Sequence, residues 1–161
     1  MDAIMVTLPE RVLEELRRRA ESEGRALEEL LNEAVLSYCG VEDPEVRAET
    51  HLRLCEKYLR ECGEFLAKGD YAQASEKAWG AASQMVKAVA ARRGVKIRSH
   101  GELHGFVERL REETGEEQVS TLWLSAASLH QNFYENWLPE GTVKDGVENV
   151  KKLVERLRKM L

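Results

Sequence analysis

The sequence predicts an all-α chain, an antiparallel bundle of about five helices preceded by a small strand-helix-helix arm, and three observations carry that expectation. The stretch from Gly69 to His100 has no proline, opens on Asp70 as a good N-cap and reaches Gly94 where a left-handed C-terminal cap belongs. The helical stripe Leu52, Cys55, Leu59, Cys62, Leu66 runs up to Lys68-Gly69-Asp70, a connection so short that the helices on either side must be antiparallel neighbours. Ala3 to Leu8 alternates, with Ile4, Val6 and Leu8 on one face, as a half-buried strand does.

In chain order, Pro9-Glu10 opens a helix with Val12, Leu13, Leu16 and Ala20 on its core side, and Glu23-Gly24 breaks it. Leu27, Leu30, Leu31, Ala34, Val35 and Tyr38 mark a second helix that Gly40 ends. These elements make an arm over residues 1–40, and the bundle follows over 43–161. Asp43-Pro44-Glu45 starts its first helix, and the central helix follows with an alanine-rich core face of Ala74, Ala78, Ala81, Ala82, Met85, Ala88 and Val89. Tyr71, Trp79 and Val86 place apolar surface on other sides, so that helix should be covered from several directions. Ser99 and Glu102 have capping-box spacing for a helix carrying Leu103, Phe106, Val107 and Leu110. Val119, Trp123, Ala126, Leu129 and Phe133 mark the next, and Val143, Val147, Val150, Val154 and Leu157 the last.

A lone six-residue strand cannot satisfy its own edge, so the arm is expected to meet a second copy of the chain, making a homodimer. The 161 residues carry a net charge of −5, which argues against a protein built to coat nucleic acid. No run approaches the length of a membrane helix and the N-terminus lacks signal-peptide character, so a cytoplasmic location without membrane contact is expected. Cys39, Cys55 and Cys62 read as free thiols.

Two polar groups could carry chemistry. Around the turn after the central helix stand Arg92, Arg93, Lys96, Arg98, His100 and His104, cations beside a helix N-terminus, which suits an anion or phosphate. The phosphate- or ligand-binding set is Arg93, Lys96, Arg98, His100 and His104. The second group is Leu129 to Trp137, where His130 and Tyr134 share a helix face; with no local carboxylate to orient the histidine, His130, Asn132 and Tyr134 read as a polar layer. His100 and His104 are spaced without an HExxH pattern, so no metal and no cofactor are expected.

The segment VTLPERVLEELRRRAESEGRALEELLNEAV resembles a ribbon-helix-helix unit, the intertwined dimer of small prokaryotic repressors and antitoxins. The resemblance implies that the outward strand positions Ala3, Met5 and Thr7 would face DNA. Of these only Thr7 can hydrogen-bond a base, and residues 1–40 hold five basic against nine acidic residues, so specific DNA binding is not expected. ASEKAWGAASQMVKAVAARRGVKIRSHGEL, followed by SLHQNFYENW, resembles the archaeal PaREP repeat-protein family over about residues 43–160. That resemblance implies a relationship to HEPN domains, helical bundles of which some are metal-independent ribonucleases with an Arg and a His separated by four to six intervening residues, and others inactive partners of nucleotidyltransferases in toxin–antitoxin pairs. Arg93 and His100 meet the spacing across a helix break, whereas His130, in the late helix where the motif normally sits, has Trp123, Leu124 and Ser125 where the Arg should be.

The sequence therefore points first to a non-enzymatic homodimeric binding or regulatory module with nucleotide or RNA phosphate as ligand. The second reading is a ribonuclease using Arg93 or Arg98 with His100, and the third is a ribbon-helix-helix repressor.

Overall fold

The computed structural model describes residues 3–161 and folds them into seven helices. These are α1 (Glu10–Glu23), α2 (Leu27–Tyr38), α3 (Pro44–Ala67), α4 (Tyr71–Arg92), α5 (His100–Thr114), α6 (Gln118–Glu135) and α7 (Glu140–Arg158). The expected five-helix bundle behind a strand-helix-helix arm is corrected on this point: no strand forms among the described residues. Ala3 to Leu8 has no ladder partner, and Ile4, Met5 and Val6 stand 88%, 96% and 61% exposed. Alternation requires a neighbouring edge to become a strand, and seven helices that satisfy their own backbones leave none open. The ribbon that was to carry Ala3, Met5 and Thr7 is therefore absent; Met1 and Asp2, the start of the expected arm, lie outside the described residues.

Local chemistry sets the helix ends. The Asp43 carboxylate accepts from the Glu45 N–H at 2.9 Å, Asp70 from Gln73 at 3.1 Å, and Ser99 Oγ from Glu102 at 3.1 Å. Such caps stabilise a helix by about 1 kcal/mol each. Gly94 takes φ +71° past the end of α4, where its missing Cβ removes the left-handed penalty. The chain then crosses from α4 to α5 without regular structure over residues 95–98.

Packing partners reveal the direction of each pair. Advancing along α3 from His51 to Glu61 moves the contact back along α4 from Gln84 to Lys77, so the two are antiparallel. Ser75 meets Asn132 while Trp79 meets Trp123, making α4 and α6 antiparallel as well. Between α6 and α7, Gln118 meets Arg156, Ser125 meets Asn149, and Leu129 sits against Gly146. A Cβ on Gly146 would lie 3.0 Å from Leu129 Cδ2, so the absent side chain is what lets these two helices close up.

The core is centred on α4, which packs against α3, α5, α6 and α7. From Ala81 to Ala91 every residue is buried, so this helix has no solvent face along that length. Trp79, Met85 and Val89 fill the volume around the alanines, and Val143, Val147, Val150, Leu153, Val154 and Leu157 close it from α7. Burying one such aliphatic side chain contributes about 1.5–3 kcal/mol. Cys55 and Cys62 are buried in the same core, their thiols pushed up to about 12 and about 11 by desolvation, and they are packing groups. Cys39 is exposed.

The arm of α1 and α2 is attached differently. Lys57 of α3 holds Glu28 at 2.8 Å, and Lys87 of α4 holds Glu29 at 2.8 Å. The turn between α1 and α2 also presses directly on the bundle. Gly24 has φ +62°, and a Cβ there would stand 2.4 Å from His100 Nε2. Only glycine fits both the conformation and the space.

Candidate functional site

Three helices bring four histidine and tyrosine rings onto one partly open shelf. On α4, Glu76 and Trp79 are three apart and so share a face. On α5, His100 and His104 are four apart immediately after the Ser99 cap, which fixes the first turn. On α6, Trp123, His130 and Tyr134 are seven and four apart and so share a face, from which Trp123 and His130 meet Trp79 of α4.

Trp79 is the floor. The His130 ring stacks on it with centroids 4.8 Å apart and planes 21° apart, and Trp123 leans on it at 5.1 Å. The Trp123 indole N–H donates to His104 Nδ1 at 2.8 Å, so neutral His104 carries its proton on Nε2. The His100 ring stands edge-on to His130 at 5.3 Å, and the Tyr134 ring edge-on at 5.4 Å from the other side. Tyr134 is 60% exposed and forms the rim.

The orienting carboxylate is Glu76. Its Oε2 lies 2.9 Å from His130 Nδ1, and because an ionised carboxylate only accepts, Nδ1 donates. That fixes the tautomer and leaves Nε2 as the reactive nitrogen, with no hydrogen-bond partner among the described residues. Burial and the neighbouring imidazoles of His130 and His104, with Lys87 beyond them, push His100 below its ordinary value, against the opposing pull of Glu76. Partial burial, then Glu76 and Glu21, push the Tyr134 hydroxyl up. Near neutral pH the shelf thus presents a neutral imidazole, a carboxylate-held imidazole and a protonated phenol, groups able to take and give protons.

The residues expected to bind phosphate around the turn are not brought to one place. Arg93 is paired with Glu113 of α5 at 2.5 Å and lies over the Phe106 ring. Lys96 and Arg98 line a separate cavity against the arm. His100 and His104 join His130 and Tyr134 on the shelf. Asn132 is buried on another side of α6, donating to Ser75 Oγ at 3.0 Å and accepting the Leu138 N–H at 2.8 Å, where it fixes the end of the helix. Sequence reading missed Glu76 as the partner of His130. The signal was the order of SEKAW and SLHQNFY on two helices, but it becomes legible only once their antiparallel register is known. Among the described residues no three His, Cys, Asp or Glu side chains are disposed to hold a metal ion, and no helix is long and apolar enough to cross a membrane.

The profile of the archaeal PaREP1/PaREP8 family matches residues 50–154, which contain α4, α5 and α6 and hence every shelf residue. A crystal structure of a protein from Sulfolobus solfataricus superposes with a TM-score of 0.58 at 34% identity, covering 66% of this chain and 95% of that one. No curated protein matches the sequence.

Proposed function

The chain belongs to the archaeal PaREP1/PaREP8 family, and from that premise we propose that its shelf is an acid–base site acting on a nucleotide or RNA phosphate. The observation that carries the reading is the Glu76–His130 hydrogen bond beside a second imidazole, His100, whose ring centroid is 5.3 Å away. Neutral His100 is suited to remove a proton from an attacking hydroxyl, and protonated His130 to return one to the leaving oxygen, with Glu76 holding its ring. The working pair is then His100 and His130, in place of Arg93 or Arg98 with His100. A relationship to HEPN bundles is part of the proposal, supported by the antiparallel helices and the histidine on α6.

Incubating the protein with single-stranded and structured RNA, with and without a chelator, tests it. Cleavage that falls by about 10²–10⁴-fold in His130→Ala, falls also in Glu76→Gln, and persists in Arg93→Ala is the expected outcome. Cleavage unaffected by His130→Ala would overturn it.

A second reading, favoured by the exposed Tyr134 rim, keeps the shelf as a binding platform on which a base stacks. Its outcome is nucleotide or RNA binding without turnover, lost in His130→Ala and weakened in Tyr134→Ala. A nucleotidyltransferase is the partner class that reading expects. We also infer self-association through the arm, supported by the exposed Ile4, Met5, Val6, Val35 and Tyr38, with no paired ribbon required. Light scattering of the intact chain should give a multiple of the monomer mass; a monomer at all concentrations would remove that inference.

A further inference from the structure

Between the arm and the bundle lies a cavity of about 130 Å³, distinct from the shelf. We propose that it is a binding site for a small organic anion, an acidic head on a short apolar body, and that its occupant fastens the arm to the bundle.

Charge decides the sign of the ligand. Five cations and three carboxylates line the cavity. Two of those cations are already committed: Lys87, 5% exposed, and Arg25 both hold Glu29, which is 4% exposed, and Arg25 also holds Glu33. The side-chain charges of the other three, Arg47, Lys96 and Arg98, form no salt bridge within 4.0 Å among the described residues, although the Arg98 backbone N–H donates to Glu102. An excess of positive charge at a partly enclosed wall calls for an anion, and two unengaged guanidinium forks suit a carboxylate or phosphate oxygen pair.

The remaining walls set the rest of the ligand. Leu36, Val95, Ile97 and Ala91 are apolar, so the body beyond the acidic head is apolar too. A closed cavity of about 150 Å³ holds one benzene, so the enclosed part of this one takes an apolar body of about that size. At the polar end the Gln84 amide donates to Glu29 at 2.9 Å, which turns its oxygen to His51 at 2.7 Å. His51 Nδ1 must therefore donate to Gln84, leaving Nε2 unpartnered among the described residues as an acceptor for a ligand hydroxyl or amide.

The cavity is assembled from both parts of the chain. Arg25, Glu29 and Leu36 come from the arm, whereas His51, Lys87 and Arg98 come from the bundle. The family match begins at residue 50, so the arm wall lies outside the matched region while His51, Lys87 and Arg98 lie inside it. An occupant touching both walls is worth more to the docked arm than to the free one, and so ties the two together.

Calorimetric titration of the full chain with benzoate, and separately with inorganic phosphate, tests the site. Saturable benzoate binding is expected, weakened about tenfold to a hundredfold in Arg47→Ala and Arg98→Ala, partly restored in Arg98→Lys, and unchanged in Arg93→Ala, which lies outside this cavity. Hydrogen exchange of the α2 amides should slow when benzoate is bound. Absence of saturable benzoate binding, equal binding by Arg98→Ala, or unchanged α2 exchange at saturation would each overturn the proposal. Phosphate binding as tight as benzoate would overturn its apolar half.

Discussion

The two sides of α4 are held by opposite means. Toward α6 and α7 the contact is mostly apolar, built from Ala78, Ala82, Met85 and Val89 with Leu129, Val147 and Val150, and the Glu76–His130 and Ser75–Asn132 hydrogen bonds lie toward one end of it. Toward the arm it is polar and ionic, with Lys87 and Gln84 reaching Glu29, while Lys57 of the neighbouring α3 reaches Glu28. Apolar packing is shared by the whole bundle, so a cavity in the core weakens the whole domain. A buried ion network fails locally and abruptly, because removing one member strands the others. The arm should therefore detach from an intact bundle, whereas the bundle should unfold as a unit.

The sharpest break comes from Glu29→Leu. Stranding the buried Lys87, while Arg25 keeps Glu33 and Glu23, should cost about 3–5 kcal/mol at the seam. Limited proteolysis should then cleave the arm while circular dichroism shows the bundle still helical. The counterpart on the other side is Leu129→Ala, expected to lower the global unfolding free energy by about 2–5 kcal/mol in a urea titration without selective loss of the arm. Loss of the arm first in Leu129→Ala would erase the contrast.

Gly24→Ala is smaller and tests the shared edge of seam and shelf. The added methyl meets the His100 ring and the left-handed backbone, so a destabilisation of about 1–3 kcal/mol is expected, with a changed His100 ring resonance in NMR spectra. Acidification sharpens the same comparison. Burial pushes His51 below its ordinary value, and burial with neighbouring imidazoles does the same to His100. The unfolded chain therefore binds more protons than the folded one as the pH falls below about 6.5, and stability present above that pH is lost toward the depressed folded values. Thermal melts between pH 7 and 5 should show the loss, reduced in His51→Gln and in His100→Gln. The smallest effect belongs to the exposed Arg93–Glu113 pair, where Arg93→Ala should change stability by less than about 1 kcal/mol.

The helix ends were legible because they depend on neighbours in sequence. Asp43, Asp70 and Ser99 cap the helices that their positions announce, and Gly94 takes the left-handed turn. The strand at Ala3 to Leu8 was misread because alternation describes a polarity pattern, while a strand requires an edge supplied from elsewhere. The shelf was half legible. His130 and Tyr134 are four apart on one helix, but Glu76 is 54 residues from His130, and no local pattern links them. Basic residues at 93–98 looked like one site because they adjoin in sequence. The irregular crossing between α4 and α5 sends Arg93 to α5 and Lys96 with Arg98 to the arm.

The unbroken burial of Ala81 to Ala91 bears on how the protein is made. A helix without a wet face is finished only when its last neighbour arrives, and for α4 that neighbour is α7, the last helix among the described residues. During vectorial synthesis α3 and α4 can pair as soon as both have left the ribosome, yet the side of α4 that Val143, Val147 and Val150 will cover stays bare until the C-terminal segment emerges. A nascent chain stopped before Glu140 would expose that greasy strip, marking truncated copies for chaperones and proteases.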